Sequence, residues 1–596
     1  MRIPSRAACR LAMTGGRGLA ALSMLAALAP AAVAPEKTLP GTTIAFMKAP
    51  NAADLRAAFR KSQIGQLFDD PAVKPLREDL TAKMEDGSKA LKAKVGVTLP
   101  ELLELPQGAV WIAIQAKDDP KIPATLLISV DAGKNAKVMD EVMAKSTKQA
   151  EDSGAKVAEE KFRDLTLHVI QPAKDDDKSA PPLVWARDGA IFHVASDLDA
   201  LKDVLSHAEG REDSLADSES YHQVLKKVGD SAQAVWFLDI AQVLRAVKRA
   251  ALAQQKTKPE DIEKLFQLTG IYGLKAAGGS LAFNVGEYDQ LTKVFFLSPG
   301  PAKGFLKAFA MPKVDLKPEP WVPASAASYE SVSWDLDNAY ASLMEIANNL
   351  GAAPLVESVE KGLVPPNGGE PLSLKKDLFG PLGNRFTAVG DFKKPINEES
   401  QRLLFAVALQ DAKKFQATLN KLFAIARIKP KTREFQGTTI FDIDIPKDPN
   451  AVNGGGRPQF QGPISLAVAK DNLFASSEPA LLEQILRGGP SLADQPGYLA
   501  VAKLLPEQAS VLSYERSEEQ ARLLYDMVKS GKFQKALQGA NMVGGPDADK
   551  LGDFLDPDKL PDFAVVAKYL SQGGAFGQME EDGLTLTRFS LRKVNP

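Results

Sequence analysis

Four histidines, His168, His193, His207 and His222, are the side chains best suited here to acid–base or metal chemistry, because imidazole titrates near neutral pH and readily ligates metals. His168 and His193 fall on two predicted strands, so a metal pair or a general base would require those strands to bring the rings together. Ser-x-x-Lys, the spacing of a serine nucleophile and its lysine base, occurs at Ser153 to Lys156, Ser358 to Lys361 and Ser373 to Lys376. No companion β-lactamase motif accompanies it, and in a chain rich in both residues the word recurs by chance. Gly454-Gly455-Gly456 lacks the following Lys-Ser/Thr and the helix that a phosphate cradle requires, and reads as a flexible loop.

The stretch Asp547 to Asp558 approximates a calcium loop through Asp547, Asp549, Gly552 and Asp558. Leu551 in a ligand position, and Asp in place of the closing bidentate Glu, point instead to an acidic helix-capping turn. Cys9 is the single cysteine and precedes the apolar part of the N-terminal segment, so disulfides, cysteine nucleophiles and cysteine-ligated zinc are not expected in the mature chain. Gly-x-Ser-x-Gly, Walker A, His-Glu-x-x-His and dinucleotide fingerprints are absent from the sequence. The 75 carboxylates make some close pairs inevitable, so a glycosidase-like dyad cannot be assigned without geometry. No residue is therefore assigned a catalytic, cofactor-binding or metal role.

The elements that would have to position any such group begin after an N-terminal segment of different character. Arg2, Arg6, Arg10 and Arg17 stand without an acid ahead of the apolar run Gly18 to Ala34. This predicts a signal peptide over residues 1–31, cut after Ala29-Pro30-Ala31; Ala32-Val33-Ala34 is a second small-x-small site, but Pro35 follows it. An uncleaved anchor is the competing reading, although Pro30 interrupts the run and leaves it short for a membrane span. Export to the periplasm, cell envelope or exterior is thus expected, with no other integral membrane segment. A chain of 596 residues can bury ample core and exceeds the usual size of one domain. The 73 basic and 75 acidic residues nearly cancel, so the composition gives no reason to expect nucleic acid.

Self-comparison shows a second level of order. "SLADSESYHQVL", from Ser214, returns as "SLADQPGYLAVA", from Ser491. Leu126 to Lys145 matches Leu403 to Leu422, with Asp131 and Asp411 placed to cap the next helix. Phe162 to Pro172 matches Phe435 to Pro446, and Ala186 to Leu201 matches Ala469 to Leu482, with hairpin turns at Asp188-Gly189 and Asp471-Asn472. Val95 to Ile114 pairs with Glu370 to Phe392, and Gly278 to Leu297 with Gly573 to Leu591. The common order predicts a tandem duplication. Its units are residues 40–310 and 329–596, joined by the Pro-rich segment 311–328.

Connections between Leu165–Gln171, Leu183–Arg187 and Ala190–Ser196 are too short for parallel crossovers. Each unit is therefore expected to be α+β, a largely antiparallel sheet with packed helices. The loops 172–182 and 446–463 should be solvated hairpin tips. Asp217 and Asp494 are placed to cap a short helix, with Tyr221 and Tyr498 one turn in as hydrophobic staples and Gly229 and Pro506 as stops. The counterparts of His168 and His222 are Phe441 and Leu499, which argues that those imidazoles are dispensable to the fold.

The segments "APNAADLRAAF" (from Ala49), "LSLKKDLFGPLGNRFTAVGDF" (from Leu372) and the twice-written "SLAD…Y" resemble the uncharacterised bacterial exported proteins of domain-of-unknown-function family 3352. The resemblance touches most of the mature chain once per unit. The first unit departs from it, with Glu101-Leu102 and Glu104-Leu105 where the second has Lys376-Asp377-Leu378. It implies an envelope-associated α+β protein and brings no catalytic residues. The expected function is a non-catalytic binding or structural module; the alternatives are an envelope hydrolase with its site between the units, and a carrier of an apolar ligand or polypeptide.

Overall fold

The computed structural model describes residues 33–593 apart from 90–91, 94–95, 118–123, 173–180, 230–231, 254–257, 367, 369, 398–399, 445–463 and 534–555. The first half supplies β1 (Thr43–Ala49), β2 (Val110–Ala116), β3 (Ala124–Asp131), β4 (Lys156–Phe162), β5 (Leu165–Gln171), β6 (Leu183–Asp188), β7 (Ile191–Ala195), β8 (Ala234–Asp239), β9 (Ala276–Val285) and β10 (Tyr288–Leu297). The second supplies β11 (Ser328–Ser333), β12 (Leu382–Phe392), β13 (Gln401–Leu409), β14 (Lys431–Phe435), β15 (Thr438–Ile443), β16 (Ile464–Ala469), β17 (Asn472–Ser476), β18 (Val511–Arg516), β19 (Gln572–Glu580) and β20 (Gly583–Leu591).

Two-residue turns and alternating side chains leave these strands only antiparallel partners. They form one antiparallel sheet of 20 strands, in the order 4-5-6-7-3-2-1-8-9-10-20-19-18-11-12-13-17-16-15-14. Partners follow the same sequence in both halves: β1 lies between β2 and β8 as β11 lies between β12 and β18. The architecture is α+β. The three strands expected over residues 165–196 are β5, β6 and β7 to within one residue at each end.

One sheet face carries the main cores. In the helix Glu219–Val228, Tyr221, Val224, Leu225 and Val228 are buried at i, i+3, i+4 and i+7, a single apolar stripe. They pack with Phe46, Phe237 and Phe295, each fully buried Val or Leu contributing about 1.5–3 kcal/mol. The helix Pro496–Ala502 places Tyr498 and Val501 against Tyr329, Tyr514 and Phe589 in the second half. The close approach of helix to sheet depends on glycine: a Cβ on Gly278 would lie 2.4 Å from Val224 Cγ1, and one on Gly574 2.6 Å from Val501 Cγ1. On the opposite face, the helices Ala136–Asp152 and Ala412–Ile425 cover the outer strands through Met139, Val142 and Phe192 and through Leu419, Phe423 and Phe441.

Several expected caps are reassigned. Asp411 does cap its helix, accepting from Lys414 N at 2.9 Å. Asp131 instead accepts from Gly133 N at 2.9 Å, because a 3-10 turn over Gly133–Asn135 delays the helix to Ala136. Asp217 closes a 3-10 turn, Leu215–Asp217, by accepting from Ser214 N at 3.1 Å, and Ser218 is the residue that caps the helix. At the second Ser-Leu-Ala-Asp word Ser491 Oγ accepts from Ala493 N at 3.2 Å, while Pro496 opens the helix and Asp494 caps nothing among the described residues.

With each helix starting after the expected Asp, Tyr221 and Tyr498 become third residues and enter the core rather than stapling the preceding Leu-Ala. Tyr221 packs edge-on to Phe237 at 5.3 Å and Tyr498 to Tyr514 at 5.6 Å. Gly229 ends its helix with φ 91° as expected, whereas the second helix stops at Ala502, ahead of Pro506. The hairpin turns shift by one residue, to Gly189-Ala190 and Lys470-Asp471.

The Pro-rich join is not a free tether. Its Leu316, Trp321 and Val322 are buried in the second core, and Val322 O accepts from Leu492 N at 2.9 Å, as Leu39 O accepts from Leu215 N at 2.8 Å in the first half. No helix among the described residues is long and apolar enough to cross a membrane. The segment 1–31, expected to be a signal peptide, the triple glycine and most of both polar loops lie outside the described residues.

Candidate functional site

The histidines do not meet. His168 pairs with Trp185, which pairs with Val194, so the neighbouring His193 projects from the other side of the sheet. His168 stacks on Trp185 with centroids 4.0 Å apart, its Nδ1 3.4 Å from Glu159. His193 packs 6.5 Å from Trp111, and its buried Nδ1 has no hydrogen-bond partner among the described residues. Burial pushes its pKa down to about 4 against the opposing pull of Asp188. His207 ends a helix with Nδ1 2.7 Å from Asp203 O, and His222 is exposed on the helix Glu219–Val228. Among the described residues no group of three His, Cys, Asp or Glu could hold a metal.

The Ser-x-x-Lys words are structural. Ser153 Oγ donates to Gln149 O at 2.8 Å, Ser358 lies exposed on a helix, and Ser373 Oγ accepts from Lys376 N at 3.3 Å. This last word is a capping device: Asp377 accepts from Ser373 N at 2.9 Å, while in the first half Thr98 and Glu101 form a capping box at 2.7 and 3.3 Å. Glu101 thus does the work of Asp377 across the local difference in sequence. Asp547, Asp549 and Gly552 lie outside the described residues, and Asp558 N donates to Asp556 in a 3-10 turn. Gln63 rivets the halves, its N–H donating to Asp289 at 2.8 Å and its side chain to Leu591 O at 2.6 Å. Burial raises the Asp289 pKa against this hydrogen bond.

One site that the geometry builds among the described residues is a cleft of about 640 Å³ where the halves join. The first half presents Lys264, Gln267 and Leu268, one face of the helix Pro259–Thr269 at i, i+3 and i+4. The second presents Ser342, Glu345, Ile346 and Asn349 from the helix Leu336–Asn349, and residues 301–304 with Lys307 form the floor. Two left-handed glycines lock that floor: a Cβ on Gly270 (φ 70°) would lie 1.7 Å from Lys303 O, and one on Gly304 (φ 56°) 2.3 Å from Leu268 O. Lys307 pairs with Glu345 at 3.0 Å, and Ser342 Oγ donates to Asn338 O at 2.7 Å. Lys264 and Lys303 have no carboxylate partner among the described residues, which leaves the lining cationic. Its volume falls in the range of small-molecule sites.

A smaller hollow of about 150 Å³ lies on strands β10, β20, β19 and β18. There Ser513, Glu515, Arg588 and Ser590 occupy the ladder positions that Trp236, Leu238, Val294 and Phe296 hold around β8, β9 and β10. Glu515 pairs with Arg588 at 2.9 Å, and Ser517 Oγ donates to Ser571 O at 2.8 Å.

No family model, curated protein or solved structure matches the chain. Reading the sequence missed the cleft because its polar residues sit at helical spacing on surface helices, the same pattern a solvated face would show.

Proposed function

We propose that the chain is an exported protein of the periplasm, cell envelope or exterior that binds a ligand without transforming it. In this reading it consists of two similar α+β modules, residues 40–310 and 329–596, derived by tandem duplication and akin to domain-of-unknown-function family 3352. The cleft is the observation that carries it. It is assembled from one helix of each module, has the volume of a small-molecule site, and offers apolar and cationic contacts while its hydroxyl is committed to a backbone carbonyl. The repeated words and the common order of strand partners support the duplication, and the basic and apolar segment 1–31 supports export. The purified mature chain should give a saturable thermal shift with a cleft ligand and no turnover on a panel of esters, amides, phosphoesters and glycosides. Turnover that disappears on mutating one polar cluster overturns the reading.

The hollow at Ser513 and Ser590 favours a second reading, an envelope hydrolase with its site at the join. Its Glu515 is engaged by Arg588, so this reading requires a serine to be activated by another group. Fluorophosphonate labelling of either serine would support it, and an unlabelled chain counts against it.

A further inference from the structure

We propose that the cleft takes a single-chain amphipathic anion, a long-chain carboxylate or phosphate monoester, with its headgroup on Lys264 and Lys303 and its chain along Leu268 and Ile346. This rests on the binding reading above. Three lysines against one glutamate set the sign of the headgroup. The Lys307–Glu345 pair at 3.0 Å is internally neutralised, which leaves two ammonium groups, carried by the two segments that meet at the Gly270–Gly304 contact, for an incoming anion. An inorganic anion would use those two groups and leave the apolar wall unfilled; an uncharged amphiphile would fill the wall and leave both lysines unanswered. Only a ligand with both parts satisfies the whole lining.

The elements around the cleft carry the same signature. Leu265 is 57%, Leu343 44%, Phe305 45% and Phe309 42% exposed, each on a helix or turn that also lines the cleft. A single exposed leucine is ordinary, but four large exposed apolar side chains on the elements that build one cationic cleft put apolar surface next to its lining residues in the chain. The cleft has definite walls and one bound headgroup exhausts its free cations, so the occupant is a free monomeric amphiphile rather than a bilayer surface.

Calorimetry with monomeric dodecyl phosphate tests this. The expected result is one saturable site per chain, weakened by about tenfold or more in the Lys264→Gln/Lys303→Gln variant. Octyl phosphate should bind more weakly, by up to roughly tenfold for each two methylenes removed. Inorganic phosphate and dodecyl maltoside should each bind at least about tenfold more weakly than dodecyl phosphate. Both substituted lysines are exposed, and an unchanged circular dichroism spectrum confirms that the variant is folded. Full affinity in the variant, equal binding of inorganic phosphate, or co-sedimentation with anionic vesicles without monomer binding overturns the proposal. A chain that neither binds dodecyl phosphate nor turns over any substrate loses this ligand class but keeps the binding reading. Turnover abolished by a cluster mutation removes the binding reading whatever the affinity.

Discussion

Lys293 and Thr587 face each other across the β10–β20 ladder, and the order of the sheet reads the same outward from that pair in both directions. Phe295 and Phe589, each beside it on its own strand, oppose Gly278 and Gly574, the two glycines pressed against Val224 and Val501. The join is therefore made by strand pairing, and the two cores are continuous with it rather than separate bodies on a linker.

Replacing Gly278 or Gly574 with Ala should destabilise the protein by about 1–3 kcal/mol, since the new methyl meets a valine side chain and, at Gly278, the Trp236 carbonyl at 2.7 Å. Urea denaturation checks this. Adding Val224→Ala to the Gly278 variant should recover only part of the loss, because the carbonyl contact remains.

Gly270→Ala should be worse, because it combines a left-handed φ with a backbone clash on Lys303. A loss of more than about 2 kcal/mol is expected, together with weaker dodecyl phosphate binding from any chain that still folds. An Ala variant with unchanged stability would show that the floor of the cleft is not locked.

The lowered pKa of His193 makes stability fall between pH 6.5 and about 4. The unfolded ring binds a proton in that window and the folded one does not, so the stabilisation present above pH 6.5 is lost on acidification. The effect should be about 2 kcal/mol, less than the full shift implies because the ring is partly exposed. His193→Phe, which copies Phe474 at the matching ladder position, should flatten this part of the pH profile. Chemical denaturation at pH 7 and pH 4 measures it.

Lys227 joins the first half to the β19–β20 hairpin through Glu580 and through Asp582 at 3.0 Å. Burial lowers its pKa, but the two carboxylates outweigh that and hold it above the ordinary lysine value. Lys227→Met should cost about 1 kcal/mol at low salt and less at high salt. The same stabilisation should fade as the pH rises through the folded pKa of the lysine. Denaturation in low and high sodium chloride separates the ionic part from any lost packing.

Strand positions and antiparallel pairing were legible in the sequence because alternation and two-residue turns have local causes. The α+β class followed from them. Caps were only half legible: Asp411 behaves as its spacing predicts, whereas Asp131 and Asp217 are used by 3-10 turns that the spacing does not reveal. The sidedness of His168 and His193 depends on three strands in register, so reading each strand alone could place both rings on strands but not decide whether they meet. The cleft needed the junction itself, since Lys264 and Ile346 are 82 residues apart in the chain and come together only where the two halves join.

Among the described residues the sheet has two rims, β4 and β14, each with a single ladder partner. Exposed Lys156, Glu159 and Lys161 line one rim, and Lys431 and Glu434 the other. A second molecule adding a strand there would have to bring its own backbone against these charged side chains, and charge at an edge opposes such growth. A sheet this broad, otherwise a template for filament assembly, thus stops at charged strands drawn from the middle of each half.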